Sequence, residues 1–408
     1  MLVAGILRTP PAHAMPDRRT PPASLHHLNI NLLVEGQSNA AFFLVRGGMR
    51  MLQAKLAETL GFHDPAYTLT FIGGAKKTVW SGTALVPSTN DRTAPAWLAG
   101  DAGHGWRDDA MQHTAVTAIR KLPAPIRASP TIIIWLHNET DSTNGQLSQG
   151  TWETAVRYAV NEERSALGQG PQTTPVDFVY VPFDYDAGRL QASGDSSTVQ
   201  QLKAGFEHLA SDHAFNAVVG AQIGDSNMDG TDAFCGGMHL DQLDVQQLVD
   251  RLALTIGNQL WRYARPGSPE AIAKGTLPST GPQAVAATRT DAHRLLITMA
   301  LEHGASGLKP LSPAAAEGAG WAIVDGTTPF YAKSAKMVGG KLLLTFRDKL
   351  PRSDKARLYY GWGTGRIYPL HALPWISNGG VERPGRGAAV YDTYGLPLWM
   401  PAAGLAVS

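Results

Sequence analysis

The chain has 408 residues, 43% of them hydrophobic and 17% charged, with 35 basic against 34 acidic side chains. That length exceeds one ordinary core and predicts two domains, while the composition excludes a disordered chain. The near-zero net charge excludes the electrostatic footprint of a nucleic-acid or anionic-membrane binder.

Residues 1–27 read as a polar, proline-rich leader. Met1 to Leu7 is apolar but short and lacks a basic flank, whereas Ala12-His13-Ala14 has the form of an A-x-A cleavage site. The expectation leans to a signal remnant and a periplasmic or secreted protein, with a cytoplasmic one as the alternative. No run approaches 18 apolar residues, so no transmembrane segment is expected.

From Leu28 the chain alternates apolar runs with helical patterns. Strands are predicted at Leu28–Val34, Tyr67–Ile72, Thr131–Leu136, Phe178–Val181 and Ala217–Ile223. Helices are predicted at Arg50–Leu60, Asp109–Lys121, Thr151–Leu167, Ser197–Ser211 and Leu243–Tyr263. Nearly continuous apolar strands alternating with helices imply an α/β domain, a parallel sheet covered on both faces, over 28–265. A Gly/Pro/Ser-rich connection at 266–285 follows. Short alternating segments then predict a small antiparallel β domain, sandwich-like, over 286–408, with strands at Arg294–Ala300, Gly320–Val324, Lys341–Phe346 and Arg357–Trp362.

Three segments carry the candidate chemistry. Gln37-Ser38-Asn39 ends the first strand, where a serine leaving a buried strand has its hydroxyl exposed and its amide free, as a nucleophile requires. Serine and asparagine also cap helices for structural reasons alone. Trp135-Leu136-His137-Asn138-Glu139-Thr140-Asp141 ends another strand of the same sheet and brings two carboxylates, an imidazole and an amide to its carboxyl edge, where ligands of such sheets bind. Gly236-Gly237-Met238-His239-Leu240-Asp241 is a flexible loop before the last helix of the domain, from which His239 can reach back as general base.

In this order the segments resemble the SGNH (GDSL-like) hydrolases, most closely their sialate O-acetylesterase and carbohydrate acetylesterase branch. There the pattern reads Gly-Gln-Ser-Asn, Trp-x-Gln-Gly-Glu-x-Asp and a late His. The run from His239 to Leu254 is similar to the segment after that histidine, and Leu358 to Trp362 with Ala389 to Pro397 is similar to the branch's closing β module. The resemblance implies an SGNH-type three-layer α/β/α domain, with Ser38 as nucleophile, His239 as base and Glu139 as the acid. Gly236 stands where the superfamily has an Asp three positions before the histidine, so Asp141, Asp225, Asp232 and Asp241 remain alternative acids. His137-Asn138 replaces the pattern's Gln-Gly, so either residue is a candidate oxyanion donor beside the Ser38 amide. Gly74, in Phe71-Ile72-Gly73-Gly74, is the candidate oxyanion glycine, with Gly105 as the alternative.

The implied reaction is hydrolysis of a short acyl ester, acetyl above all, on a carbohydrate or polysaccharide, with no cofactor. Alternatives are an O-acyltransferase using the same residues and a catalytically decayed polysaccharide-binding accessory protein of an exopolysaccharide system such as cellulose. The histidines show no tight ligand spacing, and Cys235 beside two glycines reads as a packing residue, so no metal is expected. Trp362, Tyr368, Trp375, Tyr391, Tyr394 and Trp399 are either carbohydrate-stacking platforms or the filling of a small β core.

Overall fold

Strand β1 (Leu28–Gly36) is buried along all nine of its residues, as a strand covered on both faces must be. It is the second strand of a five-stranded, wholly parallel sheet in the computed structural model, which describes residues 28–63, 67–72, 84–87, 96–144, 147–182, 196–226, 228, 239–302, 304–362, 365, 367 and 388–408. The elements of this part are, in chain order, α1 (Ser38–Val45), α2 (Gly48–Leu60), β2 (Tyr67–Ile72), β3 (Leu98–Asp101), β4 (Gly105–Asp108), α3 (Ala110–Arg120), α4 (Ala124–Arg127), β5 (Thr131–Leu136), α5 (Gln149–Leu167), β6 (Val176–Phe178), α6 (Ser196–Ser211), β7 (Ala217–Val219) and α7 (Gln242–Leu260).

The sheet order is β2-β1-β5-β6-β7. Helices α2 and α7 pack together, and α5 packs against both α3 and α6. Among the described residues, no helix is long and apolar enough to cross a membrane.

The last two strands are shorter than their apolar runs. β6 starts two residues earlier than expected and ends at Phe178, although the Val179 N–H still donates to the Trp135 carbonyl at 2.9 Å. β7 stops at Gly220, where a Cβ would lie 1.5 Å from Asp177 Oδ1. Glycine there makes room for a buried carboxylate on the neighbouring strand. The hairpin β3–β4 is absent from the sequence reading because its strands are four residues long and half-exposed, with no apolar alternation.

A short helix, α8 (Pro269–Ala273), lies within the stretch expected to be irregular. There follow β8 (Gln283–Arg289), β9 (Arg294–Ala300), α9 (Pro313–Ala316), β10 (Trp321–Asp325), β11 (Thr328–Val338), β12 (Lys341–Phe346), β13 (Arg357–Tyr360) and β14 (Leu405–Ala406). They form one seven-stranded antiparallel sheet in the order β14-β13-β10-β11-β12-β9-β8. Its two edges meet: Ala287 bridges Val407, Gln283 bridges Trp399, and the Ser408 N–H donates to the Ala287 carbonyl at 3.1 Å. The module is therefore a nearly closed barrel rather than two stacked sheets, and closure removes the exposed edges. Its core, around Trp321, Leu295, Ile297, Leu344 and Leu358, is separate from that of the α/β part. The connection between them is pinned, because Glu302 Oε2 accepts the N–H groups of Ser279, Thr280 and Gly281 at 2.7, 2.9 and 3.2 Å.

Asp177 predicts a pH dependence. Burial pushes its carboxyl up to about 7, against hydrogen bonds from Thr255 and Gln259 that favour the charged form. Between the ordinary carboxylate range and that value, the folded protein holds a proton that the unfolded chain has lost. Stability should fall as pH rises through this window, by up to roughly 1.4 kcal/mol per pH unit from this group. Urea unfolding of Asp177→Asn from pH 4 to 8 should lack that component; slopes equal to wild type would show that the carboxyl is ionised in the fold without cost.

Candidate active site

The site begins with the pairing of β1 and β5, whose last residues Gly36 and Leu136 stand opposite each other. Both chains therefore leave the sheet side by side at its carboxyl edge. Gly36 adopts φ 153°, and a Cβ there would fall 2.2 Å from the Leu136 carbonyl oxygen, so the turn into α1 needs glycine. Ser38 opens α1, half-buried, and its hydroxyl makes no hydrogen bond among the described residues. Amides in a first helical turn have no intrahelical acceptor, so that of Ser38 is a donor available to a ligand.

The flanking residues stitch the segments together. Gln37 Nε2 donates to Thr140 Oγ1 at 2.7 Å, and the Thr140 N–H donates back to Gln37 Oε1 at 3.2 Å. Asn39 Nδ2 donates to Glu139 Oε1 at 2.9 Å, while Asn39 Oδ1 accepts the Leu240 N–H at 2.9 Å. The three segments thus lie together, joined through Asn39. His239 is buried and rests on the ring of Phe42, centroid to centroid 4.2 Å. Phe42 is one helical turn beyond Ser38, and its ring also carries the Arg46 guanidinium at 4.9 Å.

Glu139 is fully buried. Its second oxygen accepts the Asn138 N–H at 3.1 Å. Burial pushes its carboxyl above the usual range, opposed by those two donors and by nearby His137. His137 is also fully buried, with Trp97 edge-on at 5.2 Å and Trp135 at 5.7 Å. Its Nδ1 lies 3.5 Å from Asp141 Oδ2, and neither ring nitrogen has a hydrogen-bond partner among the described residues. The Asn138 amide is taken up across the sheet: Nδ2 donates to the Val181 carbonyl and Oδ1 accepts the Val181 N–H, both at 2.8 Å.

The alternative acids are held elsewhere. Asp141 accepts the N–H groups of Leu85 and Val86 at 3.1 and 3.3 Å, fixing that passing segment. Asp241 caps α7 in a reciprocal box with Asp244. Asp225 makes a two-bond pair with Arg251 at 2.7 and 2.8 Å and also accepts from Gln247 at 2.8 Å and from Tyr391 of the β module. Burial alone would raise the Asp225 carboxyl, but the Arg251 charge and the hydrogen bonds hold it below the usual range. Gly105 begins β4 of the exposed hairpin, while Gly74, Asp232 and Cys235 lie outside the described residues.

Of the six aromatics of the β module, Tyr368 and Trp375 lie outside the described residues; Tyr391 reaches Asp225, Trp362 packs on Tyr359 at 4.5 Å, and Tyr394 is 55% exposed. Further contacts dock this module on the α/β part. The Ala402 N–H donates to Glu207 Oε1 at 2.9 Å, Lys203 Nζ to the Gly361 carbonyl at 3.0 Å, and the Ile367 N–H to the Gly224 carbonyl at 2.7 Å.

The role of Asn39 was missing from the sequence reading although the residue stands inside the first motif. The signal was its adjacency to Ser38; what it bonds depends on residues 100 and 201 positions away.

No protein-family model matches the chain, and no curated protein does. Among solved structures it is weakly similar to a family two carbohydrate esterase from Clostridium thermocellum in complex with cellohexaose, at 16% identity and a TM-score of 0.30, over 59% of this chain and 66% of that one. The S-layer protein rSbsC(31-844) matches at 14% identity and a TM-score of 0.17, over 60% of this chain and 27% of that one. The chain thus spans less than two thirds of either structure's length.

The buried Asp225–Arg251 pair yields a prediction. Arg251→Met should leave the Asp225 carboxylate buried without its partner and cost about 3–5 kcal/mol. The double variant Asp225→Asn/Arg251→Met should recover part of that loss in urea unfolding, and equal losses in the single and double variants would refute the uncompensated-charge account.

Proposed function

We propose that the protein is a serine esterase that removes short acyl groups, acetyl foremost, from a carbohydrate or polysaccharide, and that its α/β part is an SGNH-type three-layer domain. The reading rests on one observation above the others: the Asn39 amide ties the segment carrying Ser38 to both Glu139 and the segment carrying His239. The three stretches that resemble the esterase motifs are therefore neighbours in space, around the first turn of α1.

In this reading Ser38 Oγ attacks the ester carbonyl carbon as its proton passes to His239. The oxyanion that forms takes a hydrogen bond from the first-turn amide of Ser38, a donor already oriented by the helix before substrate arrives. Collapse breaks the acyl–oxygen bond, and the sugar oxygen leaves with the proton from His239. Water then attacks the acyl-enzyme with His239 again as base, releasing the carboxylic acid and restoring Ser38. Glu139 supplies the acid of the constellation. The Asn138 side chain is bound to the Val181 backbone, so backbone amides and His137 are the better candidates for further oxyanion contact.

Hydrolysis of p-nitrophenyl acetate tests the proposal. Ser38→Ala and His239→Ala should each lower kcat by roughly 10⁴-fold or more, and the double variant should be no worse than either, because the groups act as a unit. Equal rates in wild type and Ser38→Ala would overturn it.

A further inference from the structure

Asn39 is 1% exposed, and its two ends are used in opposite senses. The NH₂ group donates to Glu139 Oε1, and the carbonyl oxygen accepts the Leu240 N–H. Turned by 180°, the amide would set NH₂ against an N–H and oxygen against a carboxyl, so its orientation is fixed by its neighbours. On the other side, the Asn138 N–H fills Glu139 Oε2. Among the described residues, the Glu139 carboxyl is bonded by Asn39, by the Asn138 N–H and by its own backbone N–H, and the imidazole of His239 is not one of its partners. His239 is held by its neighbour in sequence, Leu240, whose backbone hangs on Asn39, and by Phe42 beneath its ring.

We infer that Glu139 and Asn39 form a positioning relay. The carboxyl orients the Asn39 amide, the amide fixes the Leu240 backbone, and the backbone sets the His239 ring beside the helix that carries Ser38. Glu139 acts on the base through an amide and two residues of main chain rather than by touching the imidazole. This rests on the esterase reading insofar as the positioned ring is the general base. It assigns Asn39, for which the motif resemblance gave no role, to the alignment of the reaction.

The arrangement allows a test by exchange. Asn39→Asp keeps an acceptor for Leu240 but sets a second carboxyl against Glu139. Glu139→Gln cannot accept from both Asn39 and Asn138. The double variant Asn39→Asp/Glu139→Gln restores every contact with polarity reversed: the carboxylate at position 39 accepts from Leu240 and from the new amide, whose own oxygen accepts from Asn138.

Two readouts apply to folded protein: kcat/KM on p-nitrophenyl acetate, and hydrogen exchange at the Leu240 amide. Each single variant should lose roughly 100-fold or more in kcat/KM and exchange Leu240 faster, while the double variant returns to within about 10-fold of wild type on both measures. A double variant as inactive as Glu139→Gln, with Leu240 protected, would overturn the relay by showing that charge is needed at position 139 itself. A wild type without esterase activity would overturn the parent reading only. The exchange measurement then decides the relay alone: faster Leu240 exchange in Asn39→Ala and in Glu139→Gln upholds it, and unchanged exchange in both refutes it.

Discussion

The parallel pairing of β1 with β5 is the constraint on which the candidate site depends. Its register sets Gly36 against Leu136, so the two chains must turn away from the sheet at the same level and within hydrogen-bonding reach of each other. A slip of one residue would turn the side chains of one strand to the opposite face. It would also part Gln37 from Thr140 and Asn39 from Glu139, the contacts that hold the two turns together. The buried apolar runs on both strands hold that register, so the hydrophobic core fixes the geometry of a polar site at its rim.

How much could be read beforehand follows from where each signal is stored. The parallel sheet and its main helices were legible because Leu32–Val34 and Ile132–Leu136 are apolar runs at the centres of β1 and β5 and the helices carry apolar stripes. Strands β8 and β11 escaped notice because alanines face the core there. Ala284 and Ala287 in one, and Ala332 and Ala335 in the other, are buried three residues apart, with a bulge shifting the phase in each. Period-two alternation is lost at such a bulge. The residue types of the candidate site were legible, since Gln37 to Asn39 and His137 to Asp141 end apolar strands. Their partners were not, because a bond such as Asn39 to Leu240 is a property of the fold and leaves no local pattern.

The docking of the two parts illustrates the same limit at larger scale. Asp225, Arg251 and Tyr391 lie far apart in sequence and meet as a buried pair with a phenol hydroxyl on the carboxylate. Removing two charges from water is costly, and only close two-bond geometry with further hydrogen bonds offsets it. The Asp225–Arg251 pair lies within the α/β part, and the hydrogen bond from Tyr391 is the part of the arrangement that requires the β module to be seated. The contact therefore rewards one relative placement, whereas an apolar patch of equal area would tolerate sliding. Asp225, a candidate acid on sequence grounds, is spent on this task.

Glu139 and Asp225 are both fully buried carboxylates on the same part of the protein, yet they are driven in opposite directions. Asp225 faces a guanidinium that holds its carboxyl below the usual range, and from there it also accepts the Tyr391 hydroxyl of the β module. Glu139 faces an amide and a backbone N–H, neutral donors that only partly offset burial, and its carboxyl is raised. A carboxyl held by neutral donors is more sensitive to small changes around it, because no full charge dominates its surroundings. Through Asn39, one amide joins the Leu240 backbone to the Glu139 carboxyl, so the two share a single hydrogen-bonded neighbour.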